Sequence, residues 1–130
     1  MPFLNIKITA PASQEMSLKI ATLLTDLTVS ILGKKRELIA VGLEYLPYDS
    51  WFIGGSTVST PTFYLDIKIT EGTNTKSEKA SYIKQVFFGM EGILGKVANT
   101  SYIVIHEVRA DAWGYQGETQ ELRYIMGKPL

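Results

Sequence analysis

Apolar and polar residues alternate over two short stretches of this chain, and the stretches are near copies of each other. Phe3-Leu4-Asn5-Ile6-Lys7-Ile8-Thr9 reappears as Tyr64-Leu65-Asp66-Ile67-Lys68-Ile69-Thr70. Leu-x-Ile-x-Ile with polar residues between is the period-two signature of a strand with one buried face. Spacings of three and four follow each copy. Met16, Ile20, Leu23, Leu24, Leu27 and Ile31 make one stripe that ends at Gly33, and Ala80, Ile83, Phe87, Met90 and Leu94 make another that ends at Gly95. These predict two amphipathic helices closed by glycine caps. Thr75-Lys76-Ser77-Glu78 reads as a capping box that opens the second helix.

A β-rich run comes after each helix, Leu38 to Leu46 and then Tyr102 to Val108. Each run leads into a similar tail, Asp49-Ser50-Trp51-Phe52-Ile53-Gly54-Gly55 against Asp111-Ala112-Trp113-Gly114-Tyr115-Gln116-Gly117. Ser56 to Pro61 reads as a polar linker between the halves, not a domain boundary. The pattern predicts one α+β domain over 1–130, built from two β-α-β repeats at about 2–58 and 62–120. Their strands form a four-stranded sheet with two helices on one face. The other face, with Phe3, Tyr64 and the second strands, is left open. Its content of Ile, Val and aromatics predicts burial by partner subunits in a closed homo-oligomer.

Composition narrows the function. Charged residues are 20% of the 130-residue chain and cancel to a formal net charge of zero, so nothing draws it to nucleic acid or an anionic membrane. No apolar run has the length of a membrane span, and the N-terminus lacks the layout of a signal peptide. There is no cysteine, hence no disulfide framework or thiol nucleophile, and a single histidine, His106, cannot build a zinc site without several carboxylates. The expectation is a soluble cytoplasmic protein that uses neither metal nor cofactor.

Chemistry enters at Met1-Pro2. Removal of Met1, which proline at position two permits, exposes a secondary amine. An ordinary α-amino group titrates at about 7.7–8.0, and a nearby cation and a dry setting lower that value. A base poised near neutrality suits proton transfer. Read alone, Pro2 is first a strand opener whose missing N–H costs nothing; the rest of the chain turns the reading toward the base.

Met1-Pro2 before the first strand, the two-fold repeat and Trp51-Phe52-Ile53-Gly54-Gly55 together resemble the tautomerase superfamily. The two repeats in one chain are similar to the double-length members, of the macrophage migration inhibitory factor and fused 4-oxalocrotonate tautomerase-like kind, which form trimers. Gly33-Lys34 followed by Ile39-Ala40-Val41 looks like the migration-inhibitory-factor pattern, and Tyr102-Ile103 through Asp111-Ala112-Trp113 also looks like malonate semialdehyde decarboxylase. The resemblance implies a homotrimeric keto–enol tautomerase acting on a small α-keto or enol carboxylate. Pro2 would be its general base. Lys34 would hold the substrate carboxylate, and Tyr102 would line a neighbouring subunit's pocket.

The departures are specific. Where the single-repeat tautomerases carry arginines, this chain has Ala12 or Ser13 and Ala40, with Thr73 and Tyr102 in the second half. The segment Glu71-Gly72-Thr73-Asn74-Thr75-Lys76 lacks the arginine pair of dehalogenase and decarboxylase members, and lysine lacks the planar fork that would replace it. Val104 stands where the family has an asparagine, which weakens a phenylpyruvate-type assignment. Two alternatives remain open: a hydratase-type promiscuous member, and a non-catalytic trimer that binds a ligand or partner. Lys34 also reads as part of a solvated Lys34-Lys35-Arg36 helix end. Tyr102 also reads as an interface tyrosine, His106 as a hydrogen-bonded strand residue, and Trp51 and Trp113 as turn anchors. Glu37, Glu107 and Asp111 could position a water, though their spacing singles none of them out.

Overall fold

The alternation in the two copied stretches becomes a buried and an open sheet face. The computed structural model describes residues 2–127. Strand β1 (Phe3–Thr9) is followed by helix α1 (Gln14–Ser30), strand β2 (Ala40–Leu46) and a hairpin of β3 (Phe52–Ile53) and β4 (Ser56–Thr57). The second half repeats the order with β5 (Phe63–Thr70), α2 (Lys76–Leu94), β6 (Tyr102–Val108) and a hairpin of β7 (Gly114–Tyr115) and β8 (Glu118–Thr119), and adds α3 (Gln120–Met126).

The strands form one sheet in the order β2-β1-β5-β6. Each half contributes a parallel pair, and the halves join through the antiparallel ladder of β1 and β5. Leu4, Ile6 and Ile8 of β1 and Phe63, Leu65, Ile67 and Ile69 of β5 are fully buried. Helices α1 and α2 pack on each other and contribute Ile20, Leu24, Tyr82, Val86 and Met90 to this core. Thr28 and Tyr82 link the helices inside it by a 2.9 Å bond between their hydroxyls. The opposite face presents Phe3, Asn5 and Lys7, all exposed, and the half-buried Tyr64, Asp66 and Lys68.

Local signals explain the ends. Ser13 caps α1 by accepting from Met16 N at 3.2 Å. Thr75 and Glu78 close the expected capping box on α2, with Thr75 N donating to Glu78 Oε1 at 2.8 Å and Glu78 N to Thr75 Oγ1 at 3.1 Å.

Two expectations need correction, and one element adds to the expected fold. The buried stripe of α2 is Tyr82, Val86 and Met90, whereas Ala80 and Ile83 face solvent. The stretch read as a linker begins with strand β4, paired to β3 as a hairpin. Helix α3 was not anticipated. It follows the second hairpin directly, and Arg123 ties it there by donating to the Tyr115 carbonyl at 2.9 Å and stacking over the Tyr115 ring.

Candidate active site

Pro2 is buried just ahead of β1, and its carbonyl accepts from Ala40 N at 3.4 Å. Two registers fix its surroundings. Phe3 pairs with Ala40 on one side and Lys68 on the other, so Pro2 lies beside the start of β2 and, one place further along the antiparallel ladder, opposite Ile69. Proline suits this position because no ladder bond is asked of its nitrogen. Met1, whose removal would free that nitrogen, lies outside the described residues.

Lys34 reaches the same end of the sheet. Gly33, at φ 69°, supplies the left-handed turn after α1, and Lys34 N donates back to Thr28 O at 3.3 Å. The side chain runs toward the loop after β5, where Nζ donates to Thr73 Oγ1 at 2.9 Å. Thr73 Oγ1 in turn donates to Thr70 O, the last carbonyl of β5, at 2.6 Å. Burial pushes the Lys34 pKa below its ordinary value, and the nearby Glu78 carboxylate opposes that shift. Lys34 is therefore not the freely solvated helix end that its basic neighbours suggest.

Trp113 closes on the same strand end. Its indole Nε1 donates to Thr70 Oγ1 at 3.1 Å, which anchors the second hairpin to β5 as a turn tryptophan should. Trp51 caps the turn before the first hairpin through its backbone, its N–H donating to Tyr48 O at 3.4 Å and its carbonyl accepting from Val58 N at 3.2 Å.

Tyr102 is elsewhere. It opens the edge strand β6 opposite Tyr64, which itself pairs with Lys7 at the far end of β1. Its side chain is 61% exposed. The ladder geometry separates it from Pro2 by roughly 17 Å along the strands and about 10 Å across them. Beside it an open groove of about 400 Å³ runs between β6 and α2, lined by Ile83, Phe87, Phe88 and Ser101 among others. One chain thus brings Pro2 and Lys34 to one end of the sheet and leaves Tyr102 at the other.

The remaining acids and the histidine have other partners. Glu107 pairs with Lys79 at 3.1 Å. Asp111 accepts two bonds from Arg109 at 3.1 Å, which hold its carboxyl below the usual range. His106 Nε2 lies 3.3 Å from Asp66 Oδ2 on the open sheet face, beside the Lys68–Asp66 pair. Among the described residues no three His, Asp or Glu side chains gather as a metal site, and no helix is long and apolar enough to cross a membrane.

The family model described as tautomerase enzyme matches residues 2–60 and again 64–123, once for each half. The chain belongs to the tautomerase family. No curated protein matches its sequence. Similar solved structures include Pt0534 inactivated by 2-oxo-3-pentynoate, with a TM-score of 0.83 at 18% identity over 97% of this chain and 99% of that one. A fused 4-OT named R7, solved as an asymmetric trimer, has a TM-score of 0.82 at 21% identity over 94% and 98%. A macrophage migration inhibitory factor homologue from Prochlorococcus marinus has a TM-score of 0.75 at 26% identity over 90% and 97%. The double match and these full-length superpositions place the chain among the two-repeat tautomerases.

Motif reading brings Thr73 forward only as a residue standing where the family has an arginine, and gives no sign of its bond to Lys34. Its partner Lys34 lies in the other repeat, so no local spacing signals the pair.

Proposed function

We propose that this protein is a cofactor-independent keto–enol tautomerase for a small α-keto or enol carboxylate, with the Pro2 amine as general base. The observation that carries the reading is the convergence of Pro2 and Lys34 on one end of the sheet in a tautomerase-family chain. Once Met1 is removed, the amine takes a proton from the carbon α to the substrate carbonyl and becomes a secondary ammonium. The electron pair of the broken C–H bond forms the enolate, and return of the ammonium's proton to the enolate oxygen gives the enol and the free amine. In the ketonising direction the free amine takes the hydroxyl proton of the enol and, as the ammonium, delivers it to the enol carbon. The Lys34 ammonium holds the substrate carboxylate and offsets negative charge as the enolate develops. Its charge also opposes protonation of the amine and so favours the free base near neutral pH.

The functional unit in this proposal is a homotrimer. Pro2 and Tyr102 occupy opposite ends of one sheet, and a head-to-tail ring brings the Tyr102 of one subunit to the Pro2 end of the next. The fused 4-OT of the same fold, a trimer, supports the threefold assembly.

The test is ketonisation of phenylpyruvate enol and of 2-hydroxymuconate by untagged protein whose intact mass lacks methionine. Activity in that sample, lost in Pro2→Ala, supports the reading. Equal activity in Pro2→Ala contradicts it. Inert processed protein that still binds these acids selects the ligand-binding trimer instead.

A further inference from the structure

We propose that Thr73 is a positioning residue that aims the Lys34 ammonium at the Pro2 end of the sheet; this rests on the proposed role of Lys34 in binding a carboxylate. The donor order is fixed. A threonine hydroxyl has one proton, and that of Thr73 goes to Thr70 O at 2.6 Å. Its oxygen is left to accept, and it accepts from Lys34 Nζ at 2.9 Å. Hydroxyls that donate are polarised into better acceptors, so the relay from Lys34 through Thr73 to the Thr70 carbonyl strengthens at each step.

The frame around the relay is held as well. Thr70 is pinned through its side chain by Trp113 Nε1 at 3.1 Å. Asn74, next to Thr73, donates from Nδ2 to Leu32 O at 3.0 Å, two residues before Lys34. The loop after β5 therefore grips the lysine segment at its backbone and at its tip. Glu78 sits close enough to act on Lys34 electrostatically, but its Oε1 already receives Thr75 N at 2.8 Å and Asn74 Nδ2 at 3.3 Å. One oxygen of the carboxylate that could have drawn the ammonium away is thus committed to the helix cap.

The consequence is a pre-ordered cation. A free lysine loses much rotamer freedom on fixing its head group, and a tip already held on Thr73 has lost it before substrate arrives. An ammonium carries three protons; with one on Thr73, two remain for the two oxygens of a carboxylate.

The test compares KM, kcat and the alkaline pH limb of kcat/KM for phenylpyruvate enol in wild type, Thr73→Val, Thr73→Ala, Thr73→Ser and Lys34→Gln, with melting curves for each. Loss of a charge-assisted hydrogen bond predicts a KM about tenfold higher in Thr73→Val and Thr73→Ala, with a smaller change in kcat. Their alkaline limb shifts to lower pH, because the charged lysine has lost an acceptor. Thr73→Ser restores wild-type values, and adding Thr73→Val to Lys34→Gln has no further effect. Wild-type KM in Thr73→Val beside an impaired Lys34→Gln overturns the positioning role and leaves the carboxylate-binding lysine standing. Wild-type KM in Lys34→Gln overturns the reading of Lys34 itself. Failure of Thr73→Ser to rescue, or a melting temperature that falls in step with activity, makes Thr73 a structural residue and contradicts the inference.

Discussion

Pro2 and Tyr102 stand at opposite ends of a single sheet, Pro2 one place before the Phe3–Lys68 pair and Tyr102 level with Tyr64 and Lys7. No rearrangement short of dismantling the ladder brings them together within one chain. A site that uses both must take them from two subunits. Mixing Pro2→Ala with Tyr102→Ala protein under conditions that let subunits exchange should therefore regain ketonisation, since some interfaces then receive Pro2 and Tyr102 intact. Activity in the mixture that stays at the sum of the two variants would show that Tyr102 serves no neighbouring site.

Lys34 predicts a pH dependence with a definite sign. Burial lowers its folded-state pKa from the ordinary 10.5, against the pull of Glu78. Substrate binding that needs the ammonium is then lost on an alkaline limb below 10.5. Lys34→Arg keeps its charge to higher pH and should move that limb upward, measured as kcat/KM against pH. For folding, the lowered pKa means that the unfolded chain holds this proton more tightly than the folded one. The charged lysine therefore disfavours the fold below its folded pKa, and the penalty fades as pH rises toward 10.5.

The hydroxyl pair between the helices predicts unequal costs for its two halves. Thr28 Oγ1 donates to Leu24 O at 2.6 Å, so Tyr82 is the donor in the 2.9 Å bond between them. Burial raises the Tyr82 pKa to about 12, so the phenol stays protonated and able to donate. Tyr82→Phe removes the donor and leaves Thr28 bonded to Leu24, at a cost of about 0.5–1.5 kcal/mol. Thr28→Val leaves the phenol buried without an acceptor, at about 1–3 kcal/mol. Denaturant melts of both variants, and of the double variant, check the order. The double variant should cost less than Thr28→Val alone, since no phenol is then left buried without an acceptor.

The same pair shows where sequence reading stops. Strands β1 and β5 were legible because alternation is a local property, and the Thr75–Glu78 box because a cap spans four residues. The buried stripe of α2 is Tyr82, Val86 and Met90, whose spacing is as helical as that of the neighbouring Ile83 and Phe87, and the bond that ties Tyr82 to Thr28 on the other helix lies outside the periodicity of α2. Ile83 fits the apolar stripe by its spacing, yet it is 39% exposed and borders the groove beside Tyr102. Helix α3 is too short to show a period, and its anchor, Arg123 on Tyr115, belongs to the hairpin before it. At the site, the family motif pointed to Pro2 and Lys34, whereas the bond from Lys34 to Thr73 joins two repeats and needed the fold.

Gly114 is the position where the second hairpin admits no side chain. A Cβ there falls onto the Glu118 carbonyl oxygen and lies 2.8 Å from Thr119 Cα, both backbone atoms that cannot turn aside. Gly114→Ala should open β7 from β8 and loosen the Trp113–Thr70 and Arg123–Tyr115 anchors that flank it. Overpacking of this kind costs about 1–3 kcal/mol. Limited proteolysis should then cleave first between residues 109 and 119, and a cleavage pattern like that of the wild type would contradict the anchoring role of the hairpin.

The most direct test of the central claim is chemical modification of untagged protein with 2-oxo-3-pentynoate, the compound that inactivates the similarly folded Pt0534, followed by peptide mapping. The account predicts one adduct per chain, on the nitrogen of an N-terminal Pro2, with tautomerase activity lost in proportion to labelling. A chain that retains Met1, or one whose Pro2 stays unlabelled while activity disappears, would contradict a catalytic proline.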